Sequence, residues 1–575
     1  MKTYDDYFSA DAIITALCRI RLSRASSIHR RRFHRKIFKF KPESDYSELN
    51  RLFPPRKLWH KCRPRKRERQ GHTQPGFDAL LKCINKHKGV QPEPVWMGEI
   101  NRLIENVQRR VLWENSFEFR APEIVPQQKA NPDEFRAIAS FPNIEDKIVD
   151  IINAKYLRES LEVCLEDAAR AFRSGRKRHL DRNSAINAIY QIRQRHPDKA
   201  LFVTECDIRG FFDCVHHPIA KVSLCRAVEL LKVRQPEVRI DPRAITIFNR
   251  YLDCYTFSKT TLGLEGALKS RTENPRAIYK WPTGGDANLP NTLNHYHRNP
   301  KRSRIGVPQG GAHSCLIANL ILDLADKEVS LTLHSKGGDS IYLRYCDDII
   351  IIAEEKSTCV EATESYYRAL RAVKLPYHLA TSLNGSLKQF FEDSKTKECF
   401  RWGAKQTDQL AFPWIQFLGY QIRYDGRIRI RPSSIRKQME KIEDLSESLR
   451  KHVTKAKAKV SRRQILYRFN SKLWAFSSGR VKIHAEHLEP LPMCWASGFR
   501  QLAKRPFHPA HIRRLDQLAG KERRRLKRHL HKFQLDAKSK QETRKSNKLR
   551  YFGRPFSHRR QFDGAKSQSS DIANQ

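Results

Sequence analysis

The sequence predicts an α+β fold with basic helical extensions at both ends, and three observations carry that prediction. Between about residues 131 and 435, short β-rich runs are separated by helical stretches, without the regular alternation of a doubly wound sheet. On either side, apolar residues recur at helical spacing, as in "MGEINRLIENVQRRVLWENS" (97–116) and "SIRKQMEKIEDLSESL" (434–449). The 575 residues carry 110 Lys and Arg against 62 Asp and Glu, a net charge of +48, and such an excess calls for a polyanionic partner. Nucleic acid is the first candidate.

Taken in chain order, residues 1–130 form a basic N-terminal accessory region. Basic clusters such as "KCRPRKRER" (61–69) flank one amphipathic helix in which Ile100, Leu103, Ile104, Val107 and Val111 share a stripe. His60, Cys62, His72, Cys83 and His87 lie close together, but the chain has no Cys-x-x-Cys pair. Neither a zinc ribbon nor a disulfide framework is therefore expected from its 13 cysteines. The longest apolar runs are too short to span a bilayer and the first thirty residues are charged, so no membrane association is expected and the default location is cytoplasmic.

The chemistry is expected within 131–435. In "YLRYCDDIIIIAEE" (342–355) strand-like runs flank Cys346, Asp347 and Asp348, which places the two aspartates at the tight turn of a β-hairpin. Adjacent carboxylates repel, and in a partly buried turn one gains a proton unless a cation holds them. A divalent metal resolves the conflict, and Mg²⁺ or Mn²⁺ suits a site of few carboxylates completed by substrate phosphates. Upstream, "LFVTECDIRGFFDCVHH" (201–217) ends a strand at Asp207 and supplies a third carboxylate. Three such groups can hold two metals that activate a 3′-hydroxyl and stabilise a leaving pyrophosphate, which is nucleotidyl transfer. Between them, "RIGVPQGGAHSCLIANLILDLAD" (304–326) is a Pro308-Gln309-Gly310-Gly311 turn opening an apolar helix. Its glycines permit close backbone approach to a nucleotide, and Gln309 offers an amide to a base or sugar edge.

In order, "DIRGFFD", "GVPQGG" with "SCLIANL", "YCDD" and "FLGYQIRYDG" resemble motifs A, B, C and E of reverse transcriptases, in the bacterial branch that holds group II intron and retron enzymes. "FRAIASFPNIEDKIVD" (135–150) and "ARAFRSGRK" (169–177) resemble that family's fingers segments, so the likeness covers about residues 131–450. It implies a right-hand polymerase: fingers and palm over 131–435 and a helical thumb over 436–504. The basic C-terminal extension over 505–575, where aromatics interleave with Arg and Lys, has no counterpart in that pattern, and its composition predicts a disordered end. The likeness implies metal binding by Asp207, Asp347 and Asp348 with the backbone carbonyl of Ile208. It makes Phe212 the aromatic that senses the sugar, sets Arg136 and Arg173 where fingers residues reach the triphosphate, and makes Lys395 the lysine that protonates pyrophosphate.

Departures from the pattern are Cys346, Ala312 and His313, and the long spacing between motifs A and B. That spacing reads as an insertion over about 255–305 near the mouth of the active site. No Cys-pair endonuclease module is expected after the thumb. The implied function is an RNA-directed DNA polymerase making cDNA from dNTPs on an RNA template, of the unknown-group type used in bacterial antiviral defence with a noncoding RNA. Group II intron maturase and a non-catalytic RNA-binding scaffold are the alternatives. A protein partner or a second copy of the chain is compatible with the sequence, and the priming group is left open.

Overall fold

Residues 2–33, 51–55, 58–59, 75–129, 131–174, 179–279, 293–383, 390–391, 394–404, 411–456, 462–478, 500–503, 510–532 and 555–556 are described by the computed structural model. They divide between two units, one of residues 1–185 and 202–400, the other of 186–201 and 401–575.

The first unit begins with a short helix, α1 (Tyr4–Tyr7), opened by a reciprocal cap: Thr3 Oγ1 accepts from the Asp6 amide at 3.2 Å while Asp6 accepts from the Thr3 amide at 2.8 Å. Helices α2 (Ala10–Phe33), α3 (Pro75–Lys86) and α4 (Val95–Gln108) follow. The periodicity read in α4 is realised, with Met97, Ile100, Leu103, Ile104 and Val107 buried. A sheet of β1 (Glu123–Gln128) and β2 (Glu134–Ser140) leads into α5 (Ile144–Leu161), whose N-cap Asn143 accepts from the Glu145 amide. Next come β3 (Leu201–Asp207), α6 (His217–Arg234), α7 (Pro242–Asp253), β4 (Ile278–Tyr279), α8 (Ala312–Lys336), β5 (Ser340–Tyr345), β6 (Asp348–Ala353), α9 (Lys356–Ala372) and β7 (Lys397–Trp402).

The central sheet runs in the order β5-β6-β3-β7. Ile349 to Ala353 of β6 are all buried, the continuous apolar run expected of a strand covered on both faces. Helix α8 is likewise buried on all sides over Leu316 to Leu322, because it packs against α5, α6 and α9 together. Each such Leu or Ile taken out of water contributes about 1.5–3 kcal/mol.

The described part of residues 1–130 packs into the main core: Tyr4, Tyr7, Phe8, Ile13 and Leu17 join one core with Ile148, Tyr156 and Leu316, because α1 and α2 lay their apolar faces on α5. The span read as an insertion, 255–305, is folded over its described residues. β4 pairs parallel with β2, and Tyr255, Phe257, Leu268, Ala277 and Tyr279 build a second core beneath Ile124 and Phe135. Residues 280–292, with the first half of "WPTGGDANLPNTLNHYHRNPKRSR", lie outside the described residues, as do His60, Cys62, His72 and the cluster 61–69. Cys83 is buried, and its carbonyl lies 2.8 Å from His87 Nδ1.

In the second unit, Arg401 and Trp402 pair parallel with β8 (Ala411–Phe412). An antiparallel sheet follows from β9 (Trp414–Phe417), β10 (Tyr420–Arg423) and β11 (Ile428–Ile430). The β9–β10 turn, Leu418-Gly419, has φ of +50° and +80°, the doubly positive pattern of a two-residue hairpin. After this sheet come the helices α10 (Pro432–Ala456), α11 (Arg462–Ser478) and α12 (Ala510–Lys532). Within the basic run, Ile512, Leu515, Ala519, Leu526 and Leu530 are buried where α12 packs against α10 and α11. Residues 533–554 and 557–575 are outside the described residues.

Candidate active site

The three aspartates meet at one end of the central sheet. β3 and β6 are antiparallel with Asp207 and Asp348 as register partners, and Tyr345 pairs with Asp348 across the β5–β6 hairpin. The turn is thus Cys346-Asp347, with Asp348 already the first residue of β6. Cys346 has φ of +61°, a left-handed conformation at the hairpin position glycine usually fills. Arg344 is fully buried beneath it and donates to the Cys346 carbonyl at 3.3 Å, to Asn319 Oδ1 at 3.2 Å and to both oxygens of Asp326.

The carboxylates differ in environment. Asp207 is buried, which pushes its carboxyl up, but His378 Nε2 at 3.3 Å and Lys395 Nζ at 2.8 Å outweigh this and hold it below its ordinary value. Asp347 is shifted the other way, raised by burial and then by the charge of Asp207. Asp348 is exposed. The conflict expected from the sequence lay between the adjacent Asp347 and Asp348; the charge that raises Asp347 here is that of Asp207. Among the described residues no group of three or more His, Cys, Asp or Glu forms a ready-made metal cage. The donor set nevertheless suits a hard divalent cation: two carboxylates with a charge conflict, in a form that leaves the remaining positions to water and substrate phosphates.

Lys395 and Lys397 lie two apart and face carboxylates two apart on β3. Lys395 is 61% exposed and pairs with Asp207; Lys397 is buried and pairs with buried Glu205. Between them, the Asp207 amide donates to Thr396 Oγ1 at 3.1 Å. Ile208 buries its side chain and bridges to Tyr377.

The Pro308–Gly311 turn is tied to the segment after β3. Gln309 Nε2 donates to Asp213 Oδ1 at 2.9 Å, and the Val307 amide donates to the Phe212 carbonyl at 2.8 Å. Burial pushes the Asp213 carboxyl up to about 6. Gly310 has φ of +103°, and a Cβ on Gly311 would stand 1.8 Å from Tyr251 Oη, so neither position admits a side chain without rearrangement. Phe211 is a core aromatic, whereas Phe212 is half-buried, with its ring edge-on to Phe211 at 5.1 Å between centroids. Arg136, exposed on β2, is near enough to act electrostatically on both Asp213 and Asp347.

Arg173 is a correction. Its guanidinium is wholly buried, donating to Glu162 Oε1 at 2.5 Å and to the carbonyls of Glu166, Ala169 and Leu165, so it is placed as an internal brace and not toward a triphosphate. Gly175, Arg176 and Lys177 of the same segment lie outside the described residues. Sequence reading missed His378, which comes from an irregular stretch with no local signal, and the Arg344–Asp326 pair.

Among the described residues no helix is long and apolar enough to cross a membrane. No protein-family profile and no curated protein matches the chain. It is similar to solved structures of telomerase. One, from Candida albicans in complex with a fragment of telomeric RNA, is 12% identical with a TM-score of 0.33, over 80% of this chain and 72% of that chain. Another, the apo telomerase of Candida tropicalis, is 12% identical with a TM-score of 0.35, over 81% of this chain and 77% of that chain. Likeness at that level leaves the functional reading to the geometry and the motifs.

Proposed function

We propose that this chain is an RNA-directed DNA polymerase. The observation that carries the reading is the pairing of Asp207 with Asp348 across β3 and β6, with Asp347 in the adjoining turn. Two of these carboxyl groups are shifted in opposite directions. Opposed shifts in neighbouring carboxylates mark sites of chemistry.

Asp207, Asp347 and Asp348, with the Ile208 carbonyl, would hold Mg²⁺ or Mn²⁺, which when bound makes a primer 3′-hydroxyl a better nucleophile and shares the charge of the departing pyrophosphate. The chain's own residues do the rest. Gln309 and Phe212 define where the nucleotide base and sugar lie, Arg136 supplies positive charge for the triphosphate, and Lys395 gives up a proton to pyrophosphate as the bond from the α-phosphorus breaks. Lys395 is suited to that task because it is largely exposed while Lys397 is fixed.

An RNA template is supported by the motif order and the +48 charge. A bacterial cytoplasmic setting, in antiviral defence with a noncoding RNA, rests on the unknown-group resemblance. The test is single-nucleotide incorporation on a primed RNA template with Mg²⁺, comparing the wild type with Asp207→Asn and Asp347→Asn. Loss of about a thousandfold or more in both, with RNA binding retained, is the expected result. Undiminished incorporation by either variant would remove the catalytic assignment, and an inert wild type that binds RNA would favour the scaffold.

A further inference from the structure

We infer that Tyr4, Asn153 and His313 are positioning residues for the nucleotide-facing turn Pro308–Gly311, acting through Asp150, which caps α8 from a different helix. The inference rests on the polymerase reading for its kinetic consequence and on geometry alone for the relay itself.

Helix α8 starts directly after the turn, and its N-cap is Gly311, which has no side chain with which to cap it. Asp150 of α5 supplies the cap: Oδ2 accepts from the Ala312 amide at 2.8 Å and Oδ1 from the His313 amide at 3.0 Å. Where Asp150 sits therefore fixes where α8, and the turn ahead of it, begins. His313 is fully buried and holds Asp150 from the side, with Nδ1 2.8 Å from Oδ1.

The direction of each hydrogen bond follows from atoms that have only one role. The Ala244 carbonyl can only accept, so the atom of Asn153 3.1 Å from it is the amide nitrogen. That nitrogen also donates to His313 Nε2 at 2.8 Å, so Nε2 accepts and Nδ1 carries the proton that goes to Asp150. The Asn153 oxygen is left to accept, and Tyr4 Oη donates to it at 2.7 Å. The relay thus runs from α1 through α5 to the first turn of α8. A parallel tie holds the turn itself: Ser314 Oγ donates to the Pro308 carbonyl at 2.6 Å and lies 2.9 Å from Tyr251 Oη. The Tyr251 ring in turn lies tilted against His313, with centroids 4.7 Å apart.

A buried network that only stabilised the protein would lower the melting point when cut, without singling out the turn. A positioning relay predicts a local effect. Tyr4→Phe removes one hydroxyl from the far end and leaves the ring in place. Exchange of the Ala312 and His313 amide hydrogens, followed by mass spectrometry on peptides covering 306–320, is expected to accelerate about three- to tenfold, as loss of one buried hydrogen bond would give. His313→Leu, which cuts the relay at its middle but keeps both backbone donors to Asp150, is expected to do the same. Ile148→Val, a buried change on α5 outside the relay, serves as the stability control. In primer extension the two relay variants are expected to raise KM for dNTP three- to tenfold with kcat within twofold, and the control to change neither. If exchange over 306–320 in both relay variants is no faster than in the control, the relay is overturned. If wild-type protein adds no nucleotide, the polymerase reading falls, and the exchange comparison still decides the relay.

Discussion

Arg344 and Asp326 form a bidentate ion pair with no solvent exposure on either side chain, at 2.7 and 2.5 Å, directly under the Cys346-Asp347 turn. Tyr342 Oη adds a third bond to Asp326 at 2.9 Å. Buried pairs contribute little net stability, but removing one member leaves an uncompensated charge. Asp326→Asn is therefore expected to destabilise the first unit by about 3–5 kcal/mol, read by urea denaturation. Arg344→Met with Asp326→Leu should recover much of that loss while still lowering nucleotide incorporation, because the donor to the Cys346 carbonyl is gone.

Asp213 gives a pH dependence whose sign is opposite to the usual carboxylate. Burial raises it to about 6 in the folded chain, above the ordinary value near 4 for an unfolded Asp. The folded state then holds the extra proton between about pH 4 and 6, so this group's contribution to stability falls as pH rises through that window and stays low above it. Asp213→Asn keeps an acceptor for Gln309 and removes the cost of a buried charge. The variant is expected to match the wild type near pH 4 and to exceed it by about 2–3 kcal/mol at pH 7 and above. Denaturation curves at several pH values would show a flat difference if the buried charge were not the cause.

Much of the site was legible because its residues sit in locally patterned sequence. The isoleucine run after Asp348 announces a buried strand, and the Pro-Gln-Gly-Gly turn announces itself through its glycines. The pairing of Asp207 with Asp348 joins residues far apart in the chain, and no local pattern contains it; only the order of motifs hinted at it. Arg173 was misread because a motif position does not specify where a long side chain turns, and here the buried Glu162 draws it inward. The body of α12 was hidden by its charge, although Ile512, Leu515, Ala519, Leu526 and Leu530 keep helical spacing beneath the arginines. His378 reaches Asp207 from irregular chain, where periodicity has nothing to report.

The outer face of α12 carries a stripe of positive charge. Arg514, Lys521, Arg524 and Arg528 are exposed along one stripe, opposite the buried leucines. Changing these four to Gln is expected to leave the melting temperature nearly unchanged and to flatten the dependence of RNA affinity on salt. The slope of log affinity against log salt should fall by up to about 3, at roughly 0.7 per single-strand phosphate contact. Deleting 510–532 is the wrong test, because it also removes core. Superposable salt titrations for the wild type and the four-fold variant would make this face a solvated one.

Phe212 bears the sharpest claim about product. Its neighbour Phe211 is only 2% exposed and belongs to the core, while Phe212 is half-buried beside the Asp213–Gln309 contact. Its carbonyl, not its ring, takes the Val307 amide, so removing the ring leaves that backbone tie intact. A planar apolar ring under an incoming sugar collides with a 2′-hydroxyl and gives it no partner once it is desolvated, a penalty of about 1–3 kcal/mol before the steric part. Each 1.4 kcal/mol is about tenfold, so the wild type is expected to prefer dNTP over rNTP strongly. Phe212→Ala should shift the ratio toward rNTP by about tenfold or more while the protein still folds, since a half-buried ring costs less to remove than the roughly 3–5 kcal/mol of a core one. Phe211→Ala should lose incorporation of both sugars together with stability. Matched dNTP and rNTP incorporation, with thermal melts in parallel, separates the two: a sugar ratio in Phe212→Ala equal to that of the wild type would take Phe212 out of the site and remove the main residue-level reason for assigning a DNA product.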